Sequence, residues 1–210
     1  MIRPLSRREV SALVPLERRF YQRDTVAVAR DLLGTVLVRR LPEGIVAIRL
    51  TEVEAYLGVA DAACHTFGGR RTPRTETMWG EAGLLYVYFT YGMHHCANVV
   101  TRGAGVPEAV LLRGAVPVHG RDRLAARRGC DGPDLLDGPA KLCRALGLTR
   151  DDDGTDLARR GALFLAGDGL VVPDEQVGRA PRIGVAYSGE AASWPLRFLV
   201  APRLRTSPPR

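Results

Sequence analysis

The sequence predicts a mixed α/β (α+β) fold in a single compact domain: a curved, largely antiparallel sheet with flanking helices and a protruding β-hairpin. Three observations point there. Turn formers are frequent and dispersed, with 14 prolines and 23 glycines among 210 residues, which suits many short elements and excludes a helical bundle or coiled coil. Runs of alternating and β-branched residues interleave with runs of helical spacing, and no repeat or linker-like seam divides them. With 46% apolar and 25% charged residues, the chain can bury a sizeable core, unlike a disordered scaffold or tail. Residues 1–200 are therefore expected to form one unit.

The elements follow in chain order. Residues 1–23 hold six arginines and two glutamates around short apolar pieces, the composition of a basic, surface-lying lead-in rather than a core element. Asp24 precedes TVAVARDLLG, whose apolar residues recur at helical spacing up to Gly34; an acidic N-cap and a glycine stop predict a helix of about three turns. TVLVRR (35–40) and IVAIRLTEVEAY (45–56) are joined by LPEG and read as an antiparallel hairpin. From Tyr56 to Gly83 the periodicity dissolves around GGRRTPRTET, a long loop of the kind that is usually functional or mobile. LLYVYFTYG, Cys96–Thr101 and AVLLRGAVP from Ala109 are strand-like, RDRLAARR (121–128) is a basic helix, and DGPAKLCRALG (137–147) is a helix with Pro139 in its first turn. Short strands are expected near 162–166, 182–186 and 196–200, followed by an Arg- and Pro-rich tail, 201–210, that reads as disordered.

Lys and Arg total 30 against 23 Asp and Glu, giving a net charge of +7 and a pI near 9.7. Lys141 is the single lysine, so chemistry through a Schiff-base lysine has one side-chain candidate. Cys64, Cys96, Cys130 and Cys143 form no CxxC pair, and no charged stretch followed by an apolar one opens the chain; a reduced, cytosolic setting is expected. Residues 82–101 lack charged side chains but include His94, His95, Asn98 and two threonines, which does not suit a lipid-facing helix. Phosphate loops, dinucleotide fingerprints, GxSxG elbows and the zinc-deaminase pattern are absent from the sequence. Cys64–His65 and His94–His95–Cys96 lack zinc-ligand spacing, and strand neighbours point to opposite faces, so no metal site is expected.

What remains is a set of carboxylates, aromatics and arginines. Glu52, Glu54 and Tyr56 alternate along one strand and share a face if the pleat is regular; a solvated strand face explains the same spacing. Tyr86 and Tyr88 also share a face, an arrangement common in cores, whereas Tyr91 sits at a turn beside Gly92, where an exposed ring suits stacking on bases. Arg70, Arg71 and Arg74 in the loop, with Arg121, Arg123, Arg127 and Arg128 in the basic helix, are candidates for phosphate contact; they are also what an ordinary solvated face looks like.

EVEAYLGVADAACHTFGGRRTPRTETMWGEAGLLYVYFTYGMHHCANVV, followed by AVLLRGAVP, DGPAKLCRALG and RIGV…PLRFLV, resembles the alkyladenine (3-methyladenine) DNA glycosylase family over nearly the whole chain, from FYQRDTVAVARDLLG to about residue 200. The resemblance implies a single-domain α/β enzyme that flips a damaged purine out of double-stranded DNA and hydrolyses its N-glycosidic bond. It makes Glu54 the base that activates water and Arg113 its catalytic partner. Tyr56, His65, Tyr88 and Asn98 become the base-binding pocket and Tyr91 the side chain inserted into the duplex. The resemblance has Lys141, at the start of its helix, contact a phosphate, and the basic loop and helix add Arg70, Arg71, Arg74, Arg127 and Arg128 as further candidate phosphate contacts. The substrate class would be 3-methyladenine, 7-methylguanine, hypoxanthine and ethenoadenine, handled by a cytosolic, nucleoid-associated monomer without metal or redox cofactor. As departures, His94 and His95 stand where some members carry aromatics just after the wedge, and Cys64 precedes the pocket histidine. Two other readings stay open: a catalytically silent nucleic-acid-binding module, disfavoured by Glu54, Arg113 and Asn98 together, and an RNA or nucleoside N-ribosyl hydrolase, for which a wedge such as Tyr91 has no use.

Overall fold

The computed structural model describes residues 3–200; the 201–210 tail expected from the sequence lies outside them. The chain opens with α1 (Arg7–Ala12), started by a capping box in which Ser6 and Glu9 satisfy each other's backbone N–H groups. After α2 (Arg18–Tyr21) comes α3 (Thr25–Leu32), whose first amides, on Val26 and Ala27, donate to the Asp24 carboxylate. Strands β1 (Val36–Leu41) and β2 (Gly44–Tyr56) form the expected hairpin. The loop beyond Tyr56 folds into three 3₁₀ turns, Gly58–Ala60, Phe67–Gly69 and Glu76–Trp79. Then follow β3 (Leu85–Thr90), β4 (His94–Val100), β5 (Ala109–His119), α4 (Arg121–Arg128), α5 (Pro139–Leu146), β6 (Leu163–Ala166), β7 (Val177–Ala180) and β8 (Arg197–Val200).

The eight strands form one open antiparallel sheet, ordered β3-β4-β5-β2-β1-β6, with β8 added to β2 and β7 to β8. Strand β2 organises it. Its first half pairs with β1 and its second half with β8, while β5 follows it along the other edge. Register irregularities against β5 fall between Ala47 and Ile48, where the extra residue is on β5, then between Leu50 and Glu52, where Thr51 is the extra residue on β2, and between Glu52 and Val53. Before Thr51 the even-numbered Val46, Ile48 and Leu50 enter the main core; after it the odd-numbered Val53 and Ala55 do. A bulge has this effect because the pleat alternates strictly, so one extra residue exchanges the faces. The exchange turns Glu52, Glu54 and Tyr56 away from the main core and onto one shared face.

Helices α3 and α5 cover the core face with Val28, Ala29, Leu32, Leu142, Ala145 and Leu146. Each fully buried leucine is worth about 1.5–3 kcal/mol of transfer free energy. The first segment differs from its expected surface position. Leu5, Val10 and Leu13 pack with Val36, Val38, Ala47 and Phe164 in a second cluster, because the capped helix presents its few apolar residues to the sheet and leaves Arg7 and Arg8 outward. The strand expected near 182–186 is also absent: Arg182 turns inward onto Asp61, Gly184 has a left-handed φ of 80°, and a 3₁₀ stretch follows. Strand β7 forms instead, on β8. Among the described residues, no helix is long and apolar enough to cross a membrane.

Candidate active site

Opposite the core, four neighbouring strands turn polar and aromatic side chains into one cleft. Tyr86 and Tyr88 come from β3, Cys96 and Asn98 from β4, Leu111 and Arg113 from β5, and Tyr56 from the end of β2. The cleft has a volume of about 350 Å³, toward the small end of the usual range of ligand pockets. The loop residues Ala63, Cys64 and His65 form one wall and Ile183, Gly184, Val185 and Tyr187 another.

Glu54 lies directly beneath this surface and has no solvent exposure. One oxygen, Oε1, accepts the backbone N–H of Ile183 at 2.8 Å and lies 3.4 Å from the Arg113 guanidinium; Oε2 accepts the Tyr56 hydroxyl at 2.9 Å. Glu52, on the same face, holds Arg113 at 3.2 Å and Arg197 at 3.0 Å. The shared face expected from alternation is therefore present, and the solvated-face alternative is not: Glu52 is 7% and Glu54 0% exposed. Gly114 sits opposite Glu52 because a Cβ there would come within 2.9 Å of the Glu52 Cβ. Burial pushes the Glu54 carboxyl above its ordinary range, opposed by Arg113, the Ile183 amide and Tyr56.

The aromatic residues interlock. His65 meets the Tyr88 ring edge-on at 4.6 Å, Tyr86 and Tyr88 lie 5.5 Å apart, and His65 Nδ1 is 3.0 Å from the Tyr86 hydroxyl. Burial, reinforced by Arg74 and Arg70, pushes His65 down to about 4, so its imidazole is neutral near pH 7. Burial raises Tyr56 and Tyr88 as well, which keeps both phenols protonated. Asn98 is buried, donating from Nδ2 to the Tyr86 carbonyl at 3.2 Å.

Tyr91 stands at the tip of the β3–β4 hairpin, 84% exposed, with φ at 51°. Arg70, Arg71 and Arg74 are exposed beside the cleft; Arg74 lies 5.3 Å over the Tyr88 ring and Arg71 is paired with Glu76. Lys141 sits in the first turn of α5, whose Pro139 lines the cleft, and its ammonium meets Asp134 at 3.1 Å. Arg127 is not brought to this site. Arg127 pairs with Glu43, eleven residues before Glu54 and just ahead of β2, a path of roughly 35 Å at about 3.3 Å per residue. Arg128 donates to the Leu135 carbonyl.

Three participants escaped sequence reasoning. Asp61 and Arg182 form a fully buried ion pair, and Ile183 supplies the amide that holds Glu54. RIGV stood out as a motif, but its residues lie more than 120 positions from their partners, and no periodicity connects them.

The sequence profile of the family described as methylpurine-DNA glycosylase matches residues 19–203. A protein of Bdellovibrio bacteriovorus, named provisionally as a 3-methyladenine DNA glycosylase, is 44% identical over 194 residues, covering 91% of this chain and 98% of that protein. One of Methanocella arvoryzae with the same provisional name is 45% identical over 185 residues, 87% of this chain and 90% of its own. A third, from Streptomyces avermitilis, is 44% identical over 189 residues, covering 89% and 87% respectively.

Proposed function

The chain belongs to the methylpurine-DNA glycosylase family, and from that premise we propose that it rotates alkylated or deaminated purines out of duplex DNA and hydrolyses their glycosidic bond with water activated by Glu54. The observation that carries the reading is the buried Glu54 carboxylate beneath an aromatic cleft, with Arg113, Tyr56 and the Ile183 amide on it.

A carboxylate offers about four lone-pair sites, and the three contacts leave one for a water. That water would be deprotonated as it attacks C1′, while the negative charge of Glu54 faces the developing oxocarbenium ion. Glu54 is covered in the free protein, so the water enters as Arg113, its more distant partner at 3.4 Å, yields by about one hydrogen-bond length, ~3 Å. Tyr56, Tyr88 and neutral His65 offer ring faces to a cationic alkylpurine, a cation–π attraction of about 0.5–2 kcal/mol. Asn98 closes the pocket floor against the exocyclic amino group of guanine. Tyr91 fills the gap left in the duplex, and one chain acts per lesion.

The test is incubation with duplexes carrying a single 7-methylguanine, ethenoadenine or hypoxanthine, with the released base and the strand both analysed. Base release from at least one of them is expected; no release from any overturns the reading. The strand should remain intact, because the one lysine side chain pairs with Asp134 and is not among the groups around Glu54, whereas strand cleavage through an imine needs an amine at the sugar carbon. Borohydride added during turnover should trap no protein–DNA adduct.

A further inference from the structure

Resting on the proposed reaction, we infer that the buried Asp61–Arg182 pair is the positioning element of the site: it fixes the Ile183 amide on Glu54 and the Tyr56 ring beside it. Both side chains are wholly buried. The guanidinium grips Asp61 with both terminal nitrogens, Nη2 to Oδ1 at 2.8 Å. It also donates to the Ala55 carbonyl at 3.0 Å and the Ala191 carbonyl at 3.1 Å, and lies 4.7 Å over the Tyr56 ring. Ala55 is the residue between Glu54 and Tyr56, and Ile183 follows Arg182 directly. One planar group thus ties the backbone that carries the base to the backbone that donates to it. Asp61 extends the tie to the opposite wall, accepting the amides of Leu57 and Ala63, two residues before His65.

A buried ion pair is a costly way to stabilise a fold, since apolar residues of equal volume usually do as well or better. What it supplies is direction: four hydrogen bonds from the two terminal nitrogens of one rigid planar group define where three chain segments meet. Lysine would keep the charge but has neither the fork nor the flat face.

The groups around Glu54 are Tyr56 and Glu52 from its own strand, Arg113 from β5, Cys96 from β4, and Arg182 beside the Ile183 amide. Loosening Arg182 weakens the amide's hold, which favours the protonated carboxyl. In Arg182→Lys, the single-turnover rate of base release at neutral pH should fall about 10- to 100-fold. The acidic limb of the pH–rate profile should move up by about one pH unit, and affinity for a duplex with an abasic-site analogue should stay within about threefold. A role confined to stability would lower Tm and leave the rate and limb of the folded protein unchanged; that result, measured well below the variant's Tm, overturns the inference. Should Arg182→Lys not fold, Asp61→Asn, which retains the guanidinium and its two carbonyl contacts, must move rate and limb in the same direction, and a wild-type profile in it overturns the inference equally. Carbon-13 NMR titration of the Glu54 carboxyl gives a readout without turnover. If the wild-type protein releases no base, the proposed function fails while an upward displacement of the Glu54 titration in the variant still supports the positioning role, and an unchanged titration refutes it.

Discussion

Glu54 is held by groups that favour its charge and by burial that opposes it, and burial wins. The sign for stability follows: the folded protein binds this proton more tightly than the unfolded chain. Its contribution is thus fully present below the unfolded value near 4.5 and is lost as pH rises through the higher folded one. Glu54→Gln should therefore have a Tm at pH 8 no lower than the wild type and higher by a few degrees, the difference closing toward pH 4, while base release falls ~10²- to 10⁴-fold, the usual cost of removing a general base. Single-turnover assays and thermal melts across pH check both parts; near-normal excision would refute the assignment. Glu52→Gln should be milder, since Glu52 acts only by holding Arg113 and Arg197. His65 has the opposite sign. Its folded value, about 4, lies below the ordinary 6.5, so its contribution is present above pH 6.5 and is lost as pH falls toward 4. His65→Gln should flatten that part of the stability–pH curve, as denaturant melts from pH 7 to 4 would record. Alternation along the sequence puts Glu52, Glu54 and Tyr56 on one face. It could not tell that the face is buried, because what covers it, Arg182 to Val185, arrives from the other end of the chain.

The elements most legible in the sequence are those with a local cause: the Asp24 cap of α3, the β1–β2 hairpin, and α5 between Pro139 and Gly147. Those missed depend on partners. Strand β7, VGRA, lacks alternation and exists through its pairing with β8, while 182–186 alternates plausibly yet spends its side chains on Asp61 and the cleft. The bulge in β2 has no signature of its own either, although it decides which side of the sheet receives the carboxylates. The β3–β4 hairpin was readable as far as its tip. There Tyr91 holds a left-handed φ that a non-glycine residue adopts at a cost, and such outliers gather at functional sites. Nothing in the fold rests on its ring. Tyr91→Ala should accordingly leave Tm within about 1–2 °C, in line with surface substitutions of under ~0.5 kcal/mol, while lowering affinity for lesion-bearing duplex relative to undamaged duplex. Equal affinities of variant and wild type for a lesion duplex would remove the wedge from the mechanism.

Across the whole molecule the positive charge is unevenly free. Much arginine is spent on internal pairs, as with Arg49 on Asp168, Arg39 on Asp152 and Arg127 on Glu43, whereas Arg70 and Arg74 are exposed beside the cleft. Composition could give the total but not this division. Arg74→Ala should weaken binding to damaged and undamaged duplex alike and reduce the slope of log affinity against log salt by about 0.9, the value for one phosphate contact. Arg127→Ala, at the remote end of β2, should change that slope less; equal effects would extend the DNA footprint to α4. The run of β2 from Val46 to Ala55, buried on both faces, has one more consequence, for the order in which the protein opens. Amide protons there should exchange only through global unfolding, whereas those of the exposed rim turns at 67–74 and 186–190 should exchange through local openings. The wall of the cleft can then breathe, admitting a bulky nucleotide and letting it go, while the strand that carries Glu54 keeps its place through many such cycles.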